Sequence, residues 1–172
     1  MTVAYSENRD QVAAGHADQH YQPNPDNKLY EIPFGQYSDV DFPLKYEGKL
    51  IKVMLWGLDH LAVNPDGYRV IIMRRDPEEI RQSCEAFGIG VHPWLKSGEY
   101  GLRISRALKM LDVRTDVLGL EVVNYRTLCE HPEVTFEMLT HGESWPIDAA
   151  KAAATINPDL YRFRRERLTV GI

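Results

Sequence analysis

The amino-acid sequence predicts an α/β domain with three layers, a mostly parallel sheet covered by helices on its faces. Two observations lead there. First, three short apolar runs, "KLIKVMLW" (49–56), "YRVIIM" (68–73) and "VLGLEVVN" (117–124), read as strands buried on both faces. Second, the stretches after the second and third runs carry helical rather than alternating periodicity. The resulting order, strand, strand, helix, helix, strand, helix, is that of a sheet whose parallel strands are joined by helical crossovers. At 172 residues the chain is long enough to bury a core as one domain spanning residues 1–172.

Each element has a local reason. Residues 1–15 hold only a weak pattern. Residues 16–47 contain four prolines, several Asn and Asp and many aromatics, which reads as a long irregular region. Order begins after Gly48, with the 49–56 run. "NPDG" (64–67) supplies a turn into the second strand, which is rich in β-branched residues. A helix starting near Pro77 places Ile80, Cys84 and Phe87 on one face, and "GIG" (88–90) ends it. Over 98–112 a second amphipathic helix turns Leu108 and Leu111 inward while Arg103, Arg106 and Lys109 share another side. Two further helices are expected near 132–141 and 147–155, followed by the basic tail "YRFRRER".

Composition removes several functional classes. A net charge of −5 argues against a general nucleic-acid binder. No run reaches the roughly 18 apolar residues of a membrane-spanning helix, and the polar start lacks the apolar core of a signal peptide. Cys84 and Cys129 are far apart and show no metal-ligand spacing, which fits buried thiols in a reducing cytoplasm and no metal.

The stretch "YRVIIMRRDPEEIRQS" (68–83) carries the chemistry, and it reads in two ways. As a structural joint, Asp76 caps the helix, Pro77 suits its first position, Glu79 completes a capping box, and Glu78 and Glu79 favour the positive end of the helix dipole. As half of a phosphate site, Arg75 stands where a strand leaves the sheet, at the end where open α/β sheets bind ligands. Ser83, eight residues on, lies two turns along the helix. A guanidinium and a hydroxyl together grip a phosphate well.

The same stretch resembles the 3'-phosphate-binding segment of the sulfotransferases, which carries an arginine at a strand end and a serine eight residues later. Arg75 and Ser83 match those positions. Other segments follow in the family's order. "NPDNKLYE" (24–31) resembles an Asn-Pro-Gly-aromatic-Glu segment of bacterial sulfotransferase-like proteins. "KLIKVMLWGLDHL" (49–61) resembles the next strand, with Lys52 on the family's strand lysine. "VVNYRTLCEHPEVTFEML" (122–139) resembles a strand, a Tyr-Glu-Asp-Leu turn and the helix after it, with Tyr125 on the tyrosine. "INPDLYRFR" (156–164) resembles the closing Asp-Pro-x-Leu-x-Arg segment. The resemblance covers roughly residues 20–167.

This resemblance implies a P-loop NTPase/sulfotransferase-like fold and sulfuryl transfer from 3'-phosphoadenosine 5'-phosphosulfate to a hydroxyl or amine on a small molecule or glycan. It implies that Arg75, Ser83, Tyr125 and Arg162 bind the nucleotide, with Tyr125 against adenine. Glu31 is the expected base for the acceptor and Lys52 the group that steadies the departing oxygen. His60 is a lesser candidate for the base, and Arg164 and Arg165 are candidates for additional phosphate contacts.

Departures accompany the likeness. The family's first strand, Gly-rich loop and helix, whose backbone N–H groups cradle the 5'-phosphosulfate, have no counterpart in the sequence. Met54 stands where cytosolic members carry a histidine base, and Arg126 where the turn carries its glutamate. The expectation is therefore a sulfotransferase-like fold missing its first strand–loop–helix unit, with transfer impaired. A second expectation is a non-catalytic remnant with an interaction or structural role, its exposed strand edge covered by a second copy or a partner chain.

Overall fold

The computed structural model describes residues 2–3, 34–86, 91, 93–96, 98–141 and 145–158. It is a mixed helix and strand structure with small parallel sheets, which agrees with the α/β class at that level. The chain divides into two compact units, one of residues 1–66 with 102–110 and one of residues 67–101 with 111–172.

In the first unit, β1 (Thr2–Val3) pairs in parallel with β2 (Lys49–Leu50). Three short 3-10 turns, Phe34–Ser38, Leu44–Tyr46 and Leu55–His60, carry most of the described chain between and after them. Their organising centre is aromatic. Tyr37 and Phe42 are buried with ring centroids 5.1 Å apart, and Tyr46, Ile51, Val53, Met54, Trp56 and Leu61 pack against them. The Tyr37 hydroxyl accepts the Met54 N–H at 3.0 Å, so the ring's polar end is satisfied inside this cluster. Gly57 lies so close to Tyr37 and Val53 that a Cβ there would overlap both.

The 49–56 run is therefore not the doubly buried strand its apolar content predicted. Only Lys49 and Leu50 are in a strand, both exposed, and Lys52 is exposed as well. The physical reason is the aromatic pair. Ile51, Val53, Met54 and Trp56 bury their surface against Tyr37 and Phe42 instead of against helices over a sheet, and that packing needs no ladder.

The second unit keeps the predicted strands and helices, but its two strands are not buried on both faces: Met73, Leu118 and Val122 are exposed, because among the described residues the sheet has only these two strands. β3 (Tyr68–Arg74) and β4 (Val117–Asn124) run parallel, with Arg69 opposite Gly119 and, at the far end, Arg74 opposite Asn124. The connection between them holds α1 (Pro77–Ala86), α2 (Pro93–Lys96) and α3 (Tyr100–Asp112); residues 102–110 of α3 group with the first unit. On α3 the buried positions Tyr100, Ile104, Ala107 and Leu111 recur at helical spacing, and Arg103, Arg106 and Lys109 are exposed, as the periodicity indicated. After β4 come α4 (Tyr125–Glu130), α5 (Pro132–His141) and α6 (Ala149–Ala154). Val123 of β4, Leu128 of α4 and Leu139 of α5 form a buried apolar cluster in this unit, with Ile71, Phe136 and Ile156 packed against it. Each of the three contributes about 1.5–3 kcal/mol of hydrophobic stabilisation.

Candidate functional site

The site is built where β3 and β4 end. Arg74 and Asn124 are partners in the parallel register, so the next residue of each strand, Arg75 and Tyr125, leaves the sheet on the same edge and side by side. Two caps hold the exits. Asp76 Oδ1 accepts the Glu78 N–H at 2.8 Å and starts α1. Asn124 Oδ1 accepts the N–H groups of Arg126 and Thr127, at 2.9 and 3.2 Å, and starts α4 with Tyr125 in its first position.

Arg75 is gripped from several directions. Its backbone N–H donates to the buried Tyr100 hydroxyl at 3.3 Å. Its Nε donates to Glu79 Oε2 at 3.2 Å. Its guanidinium carbon lies 5.1 Å from the centre of the Tyr125 ring. The Glu79 side chain is 3% exposed and that of Arg75 21%, so this ion pair is shielded from bulk water on the carboxylate side. The Glu79 carboxylate serves the arginine four residues before it.

Ser83 is half-buried on α1, one turn beyond Glu79 and so on the same side of the helix. Cys84 follows it, also half-buried. Burial pushes its thiol above the ordinary range, and the Arg75 charge opposes that shift, so the guanidinium's field reaches the second turn of α1. Burial likewise raises the Tyr100 phenol, against the hydrogen bond from Arg75.

A second arginine–tyrosine–acid group marks the other end of the strands. Arg114 donates to both carboxylate oxygens of Asp116, at 2.8 and 2.6 Å, and lies 5.6 Å from the centre of the Tyr68 ring. This group is at the amino ends of β3 and β4, where open parallel sheets do not bind ligands.

The other sequence-derived candidates are Lys52, His60, Glu31, Arg162, Arg164 and Arg165. Lys52 and His60 are exposed residues of the first unit, and the His60 ring stacks on Tyr37 with centroids 6.4 Å apart. Met54 packs in the aromatic cluster of that unit. Arg126, in the place of a glutamate, pairs with Glu130 along α4 at 3.1 Å. Glu31, Arg162, Arg164 and Arg165 lie outside the described residues. Among the described residues there is no cluster of His, Cys, Asp and Glu that could hold a metal ion, and no helix long and apolar enough to cross a membrane.

Sequence reasoning missed Glu79 and Tyr100 as parts of the site. The i, i+4 spacing of Arg75 and Glu79 was an available signal. Nothing local in the sequence linked Tyr100 to Arg75. Chemically, the arrangement offers an arginine held by a carboxylate and an aromatic ring, with a helix hydroxyl two turns along, which suits recognition of a phosphate or sulfate more than proton transfer. No family model, no curated protein and no solved structure matches the chain.

Proposed function

We propose that the chain is a nucleotide-binding protein of the sulfotransferase-like, P-loop-type fold, retaining the half of the donor site that takes a 3'-phosphate. Arg75 and Ser83 contact the phosphate, and Tyr125 stands beside it at the end of the neighbouring strand. The observation that carries this reading is the position of Arg75: the first residue beyond a parallel strand, its guanidinium against the aromatic ring that begins the helix after the adjacent strand. The donor is a 3'-phosphoadenosine nucleotide. The family's reaction is sulfuryl transfer from 3'-phosphoadenosine 5'-phosphosulfate to a hydroxyl or amine, and residues 1–172 hold no match to its 5'-phosphosulfate loop. In the family reading Glu31 and Lys52 are the catalytic residues and Arg162 a further nucleotide contact; Lys52 belongs to the first unit, and Glu31 and Arg162 lie outside the described residues.

Calorimetric titration tests it. Adenosine 3',5'-bisphosphate binds in the high-micromolar to millimolar range, around 4–6 kcal/mol of binding free energy. Adenosine 5'-monophosphate binds at least tenfold more weakly, and Arg75→Met removes the difference. Equal affinity for the two nucleotides, or none for either, overturns the reading.

A second reading, a non-catalytic remnant of that fold acting through an interaction surface, is favoured by one observation. Leu118 and Val122, on the same face of β4, are 52% and 41% exposed. Light scattering decides it: a dimer that Val122→Glu dissociates supports this reading, and a monomer at all concentrations removes it.

A further inference from the structure

We infer that Glu79 and Tyr125 act together as positioning residues for Arg75, fixing the plane of its guanidinium so that it meets a 3'-phosphate in one orientation. This inference rests on the nucleotide-site reading above and adds how that site is made selective.

An unrestrained arginine has wide conformational freedom. Its side chain is long and rotamer-rich, and ordering it when an anion arrives costs affinity. Three contacts remove that freedom in advance. The Tyr100 hydroxyl holds the backbone N–H of Arg75, which fixes where the side chain departs. Glu79 takes the Nε edge at 3.2 Å. The Tyr125 ring takes the face, 5.1 Å from the guanidinium carbon. An edge contact and a face contact together define the orientation of a planar group, which neither does alone.

The placement of the two partners makes this more than a surface ion pair. Glu79 keeps only 3% of its side chain exposed, so its carboxylate has no alternative solvent-facing position within that pair. Tyr125 is held by a different strand and a different cap, through the two hydrogen bonds that Asn124 accepts at the start of α4. Arg75 therefore joins the two strand exits, and the orientation of its guanidinium depends on both. The group at the other end of the strands differs on the edge side: Asp116 takes both Nε and a terminal nitrogen of Arg114, with the Tyr68 ring 5.6 Å from the guanidinium carbon.

The closing experiment separates this inference from the reading beneath it. Calorimetric titration with adenosine 3',5'-bisphosphate and adenosine 5'-monophosphate is run on the wild-type chain and on Glu79→Gln, Tyr125→Leu and Tyr125→Phe. Glu79→Gln and Tyr125→Leu are expected to weaken the bisphosphate about three- to tenfold, from the usual worth of a charge-assisted hydrogen bond and a cation–π contact. Glu79→Gln leaves the 5'-monophosphate unchanged, and Tyr125→Phe, which keeps the ring, stays within about twofold of wild type on both nucleotides. In parallel, the Arg75 Nε–H resonance is protected from exchange in the wild type and in Tyr125→Phe, and loses protection in Tyr125→Leu.

Wild-type binding with no loss in the variants overturns the inference and leaves the reading standing. Tighter bisphosphate binding by Glu79→Gln overturns it too, because Glu79 would then be a competitor for the guanidinium. An unprotected Arg75 Nε–H in the wild type does the same. Absence of nucleotide binding in the wild type overturns the reading and the inference with it.

Discussion

Glu79→Ala is the perturbation whose cost follows most directly from the structure. The substitution removes the carboxylate that Arg75 Nε reaches at 3.2 Å, at a side chain only 3% exposed. Breaking a fully buried ion pair by deleting one partner costs about 3–5 kcal/mol, because the other charge is left without compensation. Arg75 keeps 21% of its side chain exposed, so water recovers part of that loss. The expected destabilisation is about 2–3 kcal/mol, less a few tenths because alanine favours the helix. For a chain of this size that corresponds to a fall of about 4–12 °C in Tm. Glu79→Gln keeps an acceptor for the Nε–H but loses the charge, and costs about 1 kcal/mol. Urea denaturation followed by circular dichroism reads both values, and a double-mutant cycle with Arg75→Met isolates the pair, with a coupling of about 1.5–3 kcal/mol. Raising the salt concentration should change this coupling little, since the pair is partly shielded. Variants within about 0.5 kcal/mol of wild type, or a coupling near zero, would refute the claim that Glu79 is the buried partner of Arg75.

Four further outcomes follow. Burial holds the Cys84 thiol in its neutral form, so it should react with iodoacetamide at pH 8 more slowly than free cysteine; Arg75→Met should slow it further by removing the charge that favours the thiolate, and a faster reaction would contradict that influence. Because the folded thiol binds its proton more tightly than the unfolded one, its contribution to stability is present below the ordinary thiol value of about 8.5 and declines as pH rises through the raised folded value, a decline that Cys84→Ser should flatten in urea melts. Gly67 has φ of +78° and no room for a Cβ against Leu118, so Gly67→Ala should lower stability by about 2–3 kcal/mol, whereas Gly98→Ala, at φ +75° with open space around it, should cost only the backbone share of about 1–2. Asn124→Ala removes the acceptor of two N–H groups and should cost about 1 kcal/mol, with Asn124→Asp recovering most of it.

The second unit was legible in the sequence because its signals were redundant. The β-branched run 68–73 ends in an Asp-Pro cap, and the 117–124 run ends in an asparagine that caps the next helix. Their parallel pairing followed from the helical stretch between them. The aromatic unit was not legible from the same logic. An apolar run packs equally well against a helix layer or against a pair of buried rings, and nothing within residues 49–56 tells which partner is present. Tyr37 and Phe42 decide it, and they lie in a stretch whose prolines and acids mask the core they form. At the site, the exit positions of Arg75 and Tyr125 were readable from strand ends, since a parallel register brings equivalent ends together. The role of Glu79 was obscured because a glutamate in the first turn of a helix satisfies the dipole and capping rules equally well. Its burial, not its spacing, distinguishes the two.

The central claim is that an anion binds at the carboxyl ends of β3 and β4 through Arg75 and Ser83. A two-dimensional amide NMR titration with adenosine 3',5'-bisphosphate tests it residue by residue. The account predicts saturable shifts at Arg75, Ser83 and Tyr125, with the amides of Tyr68 and Asp116 at the opposite end of the strands unmoved. Shifts concentrated at Tyr68 and Asp116, or a spectrum that does not change at saturating nucleotide, would contradict it.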